Sequence, residues 1–88
     1  MVKVLDFYAD WCGCSRMMNP VICELVKELK DRVVFEKINL DKDPNLAEEF
    51  GVLSIPTYII QVDGRQVQRI VGMVPKETLA AKILAQFP

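Results

Sequence analysis

The stretch Trp11-Cys12-Gly13-Cys14-Ser15 holds the residue types best suited to covalent chemistry. Two thiols stand one residue apart, between an apolar run and a helical pattern. A cysteine at a helix start meets unpaired amides and the positive end of the helix dipole. Both favour the thiolate, the form that attacks disulfides and binds metals. The chain has no histidine, so Cys-His nucleophilic catalysis and imidazole-ligated zinc are excluded. Its three cysteines cannot all pair within one chain. In a reducing compartment such thiols are more often redox-active, metal-binding or plain core groups than structural staples.

The elements that must position these thiols follow from hydrophobic spacing. Val2 to Tyr8 is apolar apart from Lys3 and Asp6 and reads as a buried strand. Cys12 to Lys30 reads as a helix, with Val21, Ile22, Leu25, Val26 and Leu29 on one face. Pro20 interrupts its first half, where it should kink the helix and free a carbonyl. Val33 to Leu40 reads as a second strand. Pro44 opens a helix through Leu46, Ala47 and Phe50 that Gly51 closes. Thr57 to Val62 and Gln66 to Val71 flank an Asp63-Gly64 hairpin turn. Pro75 starts a last helix with Leu79, Ile83, Leu84 and Phe87 at helical spacing. The order β-α-β-α-β-β-α predicts an α/β fold, a mixed four-stranded sheet flanked by helices.

The chain's 88 residues suit one small domain spanning 1–88. Eleven basic and twelve acidic residues nearly cancel, and no basic stripe carries interleaved aromatics. Nucleic-acid binding therefore has no electrostatic support. No apolar run approaches the roughly 20 residues that cross a bilayer. Met1 to Phe7 reads as a strand rather than a signal peptide, so a cytoplasmic location is expected.

The segment "DFYADWCGCSRMMNP" resembles the active-site segment of thioredoxins, usually D-F-W-A-x-W-C-G-P-C-K followed by a proline. "FGVLSIPTYIIQVDG" is similar to their cis-proline loop and hairpin, and "VVFEKINLDKDPNLAEEFGV" and "VGMVPKETL" fit the same pattern. The resemblance covers essentially the whole chain. It implies a thioredoxin-like fold lacking the usual first strand and helix, and a protein disulfide oxidoreductase. The partners it implies are disulfide-bearing proteins and a disulfide reductase, with no cofactor. Pro20 stands eight residues after Cys12, as the helix proline does in the family. By that register Cys12 matches the nucleophile, Cys14 fills the family's proline position, and Ser15 replaces the resolving cysteine. Asp6, which on its own reads equally as an edge residue facing water, matches a buried acid acting in proton transfer, and Lys37 a lysine near it. Trp11, Gly13, Ile55, Pro56 and Gly72 match substrate-contact positions, with Ile55-Pro56 offering a backbone edge to a peptide.

The C-G-C-S motif leaves three uses of the sulfurs open. In the first, Cys12 forms a mixed disulfide and Cys14 resolves it through a strained bond, which would make the protein more oxidising. Ser15 forms no disulfide and can only hydrogen-bond the thiolate. In the second, Cys12 and Cys14 of two chains bind zinc or a [2Fe–2S] cluster as a bridged dimer. In the third, the motif is an engineered variant of a C-G-P-C parent that traps mixed disulfides. Cys23 lies about 16 Å along the helix from Cys12, too far to pair with it. It reads as an inert surface thiol on a monomer, or as the link in an intermolecular disulfide.

Overall fold

The computed structural model describes residues 1–88. Strand β1 (Val2–Tyr8) leads through a short turn into helix α1 (Gly13–Leu29), and β2 (Val33–Asn39) follows. Helix α2 (Pro44–Glu49), the hairpin of β3 (Thr57–Val62) and β4 (Arg65–Val71), and helix α3 (Lys76–Leu84) complete the chain. The strands lie in the order β2-β1-β3-β4. β1 and β2 are parallel, because α1 carries the chain back across the sheet; the other neighbours are antiparallel. The expected α/β fold and element order are observed.

Alternation along β1 divides the core. Val2 and Val4 face α1 and α3, where they pack with Met18, Ile22, Leu25, Leu29, Tyr58, Ile60, Leu79 and Ile83. Leu5 and Phe7 face the other side and pack with Ile38, Ala47 of α2 and Ile59. A strand buried on both faces reads as a near-continuous apolar run, as β1 does. The hairpin turn places Asp63 at φ 51° and Gly64 at φ 82°, the left-handed conformations that Asp-Gly tolerates.

Several boundaries differ from the sequence expectation. α1 starts at Gly13, and Cys12 is its extended N-cap, at φ −90° and ψ 116°. Pro20 lies inside the helix, as expected. Val26 is partly exposed rather than on the buried stripe. α2 is a short turn and a half, with Phe50 at its C-cap. α3 ends at Leu84, so Phe87 lies beyond the helix. Phe87 still packs against the main core, and the Arg32 guanidinium sits 4.2 Å from its ring centroid. A tertiary contact thus holds a residue that helical spacing had assigned to the helix.

Leu25 is fully buried between α1 and the sheet. Leu25→Ala is expected to lower unfolding free energy by about 2–5 kcal/mol. Val34→Ala, at an exposed position on β2, is expected to change it by less than about 0.5 kcal/mol. Urea titration distinguishes the two, with the slope unchanged in both.

Candidate functional site

Cys12 is placed by the end of β1. Its amide bonds the Ala9 carbonyl at 3.2 Å, closing the turn, and its carbonyl accepts the Arg16 amide at 3.1 Å, opening α1. Its thiol is half-buried. Sγ stands 4.0 Å from the carbonyl oxygen of Ile55, 43 residues away in sequence. The Ile55–Pro56 peptide is cis, so the sequence-predicted pair Cys12 and Ile55-Pro56 is brought together.

The thiol of Cys12 is held below its ordinary value. The Ser15 amide is the largest cause, since it stabilises the anion; partial burial works against it, and the Cys14 amide, the Ser15 hydroxyl and the Cys14 thiol add smaller pulls. Cys12 makes no side-chain cap bond to the helix amides, so these donors favour its anion through their dipoles rather than through a formed hydrogen bond. Ser15 itself is buried, and its Oγ accepts the Ala9 amide at 3.4 Å. One side chain therefore bonds the end of β1 and helps favour the Cys12 anion.

Cys14 is exposed on the first turn of α1, and no disulfide joins it to Cys12. The two cysteines do not both lie in regular helix, since α1 begins only at Gly13. Cys12 is extended instead, and the Cys14 thiol lies close enough to assist the Cys12 anion. Cys23 is exposed, on the open side of α1 in a shallow groove of about 380 Å³ with Ile22, Val26, Lys27, Phe35 and Lys37. No three or more His, Cys, Asp or Glu side chains converge anywhere in the chain.

Asp6 sits behind this site, on the α1 side of β1, and is only 3% exposed. Burial pushes its carboxyl up to about 6, and the opposing pull of Lys37 only partly offsets this. Lys37 is opposite Asp6 in the β1–β2 register. Its ammonium donates to Asn19 Oδ1 at 3.2 Å and lies 4.5 Å from the Tyr8 ring centroid, so it acts on Asp6 across space. Tyr58, opposite Asp6 on β3 and fully buried, has its hydroxyl pushed well above the usual range by burial and by Asp6. Sequence reading did not single out Tyr58, because a buried strand tyrosine looks like any other core residue.

Trp11 is 65% exposed, and its Nε1 donates to Asp41 Oδ1 at 3.2 Å. The Asp41 amide donates to Asn39 Oδ1 at 2.9 Å, and Asn39 Nδ2 reaches Asp10 at 3.5 Å. This polar bracket was also missed; its one sequence signal is the polar cluster that follows the apolar half of β2. Gly13 has open space around its Cα, as does Gly72, which sits at φ 90° and donates its amide to the Pro56 carbonyl at 2.8 Å. Leu53, nearly fully exposed, Met17 and Met73 lie on the segments flanking Cys12 and Pro56.

These charges can be checked at Cys12 and at Asp6. Alkylation of Cys12, followed by peptide mapping across pH, is expected to reach half-maximal rate below the midpoint of a free cysteine peptide. Folded Asp6 holds its proton to about pH 6, while the unfolded carboxyl releases it near 3.8. The stability this adds is full below the unfolded value and is lost as pH rises through about 6. Asp6→Asn is therefore expected to exceed the parent in unfolding free energy by about 3 kcal/mol above neutral pH. That gain should shrink towards zero in acid, in urea titrations at acidic and alkaline pH.

The thioredoxin family model matches residues 1–85. Over 77 residues the chain is 46% identical to thioredoxin 1 of Synechococcus elongatus, covering 88% of this chain and 72% of that protein. It is 42% identical over 80 residues to thioredoxin of Pyropia yezoensis, covering 91% and 75%. Among solved structures, a mutant thioredoxin from Halobacterium salinarum superposes with a TM-score of 0.89 at 36% identity, covering 96% of this chain and 73% of that one. Oxidised mitochondrial thioredoxin 3 from Saccharomyces cerevisiae gives 0.87 at 34%, covering 96% and 77%. With a family model over nearly its whole length and relatives this similar, the chain belongs to the thioredoxin family and is a disulfide oxidoreductase.

Proposed function

We propose that Cys12 is the attacking sulfur of this oxidoreductase and Cys14 its second, conditional thiol. The observation that carries this reading is the setting of Cys12: half-buried at the N-terminus of α1, favoured as thiolate, and facing the Ile55 carbonyl at 4.0 Å. The Cys12 thiolate attacks one sulfur of a protein disulfide. A new S–S bond joins Cys12 to the substrate, the old bond breaks, and the other substrate sulfur leaves as a thiolate. Attack by Cys14 on Cys12 then forms a Cys12–Cys14 disulfide and releases the substrate fully reduced. A disulfide reductase returns both thiols to the reduced form.

In this reading Asp6, with a carboxyl near 6, exchanges protons with the site, and Lys37 biases it towards the charged form. Ser15 stabilises the Cys12 anion but does not resolve the mixed disulfide. Trp11, Gly13, Ile55, Pro56 and Gly72 form the contact surface. An extended substrate segment pairs with the backbone at Ile55 and Pro56, and the open space at Gly13 and Gly72 admits it. The three free thiols suit a reducing compartment such as the cytoplasm.

An intact-mass alkylation series across a thiol–disulfide buffer tests the reading. Cys12 and Cys14 are expected to become protected together, as an internal disulfide. Cys12→Ser should abolish mixed-disulfide formation with a protein substrate. Cys14→Ser should leave formation intact and slow release at least about tenfold, so the adduct accumulates. Full release in Cys14→Ser would remove Cys14 from the cycle. A coloured, two-chain species with four thiolates per metal centre would favour the bridged-dimer reading instead.

A further inference from the structure

We propose that Arg69 is a positioning residue for the loop that presents the Ile55 carbonyl to Cys12. The proposal rests on the reading that Cys12 is the attacking sulfur. Arg69 lies on β4, opposite Ile59 of β3, on the sheet face that α2 covers. It is half-buried. Its guanidinium donates to two successive backbone carbonyls, that of Phe50 through Nη2 and that of Gly51 through Nη1 at 3.2 Å. Nη2 also reaches Gln66 Oε1 at 3.3 Å.

Those two carbonyls stand where α2 stops, so no further turn of helix supplies them with amide donors. A cation at that end also meets the negative pole of the helix. A planar fork satisfies two adjacent carbonyls at once, which a lysine ammonium on its flexible stem does not. The chain then runs only from Val52 to Ile55 before its carbonyl faces Cys12 Sγ. Within that run Leu53 is 98% exposed and contributes no burial. Val52 and Ile55 pack against the smaller core, and Val52 donates to the Ala47 carbonyl at 2.8 Å.

The far end of the loop is pinned separately. Thr57 Oγ1 donates to the Ser54 carbonyl at 2.6 Å, and the Gly72 amide to the Pro56 carbonyl at 2.8 Å. Arg69 and Gly72 both belong to the β4 side, so the hairpin grips the loop at each end. Arg69 touches neither Cys12 nor any reacting atom. It acts through the backbone edge that a protein substrate must pair with, and a small disulfide that needs no such edge is indifferent to it.

The test compares the parent with Arg69→Leu and Arg69→Lys. The rate at which Cys12 forms a mixed disulfide is measured with insulin and with dithiodipyridine, read at Cys12 by peptide mapping. Arg69→Leu is expected to slow the insulin reaction about tenfold, Arg69→Lys less. The dithiodipyridine rate and its pH midpoint should stay as in the parent. Amide exchange at Leu53 and Ile55 should rise in Arg69→Leu while exchange in β1 does not. Equal insulin rates, equal exchange at Leu53 and Ile55, or a parallel fall with both disulfides overturns the proposal. A parent that forms no adduct at Cys12 with either reagent overturns the Cys12 reading instead, and the exchange comparison then still decides what Arg69 holds. Should Arg69→Leu fail to fold, the same comparisons are made with Arg69→Lys, and indifference there to both rate and exchange overturns the proposal.

Discussion

The register of β1 governs the sheet, the core and the site together. This strand is paired on both edges, in parallel to β2 and antiparallel to β3, and packed on both faces. Sliding it by one residue would exchange Val4 and Asp6 with Leu5 and Phe7 across the sheet, placing a carboxylate in the smaller core. The core therefore fixes where β1 ends. From that end the Ala9 carbonyl holds the Cys12 amide, and the Tyr8 carbonyl holds the Leu40 amide. The Cys12 sulfur is positioned by apolar packing several residues upstream of it.

The same register sets the electrostatics. Asp6 is buried because alternation puts it beside Val4 on the α1 face, and desolvation then outweighs the attraction of Lys37. That is a standing cost to the fold at neutral pH. Cys12, by contrast, is placed where backbone donors of α1 favour its anion. Both perturbed groups thus follow from the ends and faces of two elements rather than from a dedicated polar cluster. Ser15 links them mechanically, since its hydroxyl touches the Ala9 amide and lies near the sulfur.

The loops around Cys12 are held differently from the core. Trp11, Leu53 and Met73 are exposed and gain little from burial. Their segments are fixed by polar anchors: Asp41 on the Trp11 indole, Asn39 between Asp41 and Asp10, Thr57 on Ser54, and Arg69 on the end of α2. Such bonds hold backbone in place while leaving apolar side chains free for a partner.

The element order, the mixed sheet, the helix start at the cysteine pair and the hairpin at Asp63-Gly64 were all legible along the chain. Each is written in local spacing, turn chemistry or helix-end chemistry, which operate over a few residues. Asp6 also stood out as the one acid in an apolar strand, though not which way it faced. Folding in three dimensions was needed to bury Asp6, to make Cys12 an extended N-cap, and to bring its sulfur to Ile55 from 43 positions away. Tyr58 beside Asp6 and Arg69 on the end of α2 were likewise silent in the sequence. Their surroundings come from strands and turns brought together by sheet pairing, and no pattern along the chain encodes a neighbour across the sheet.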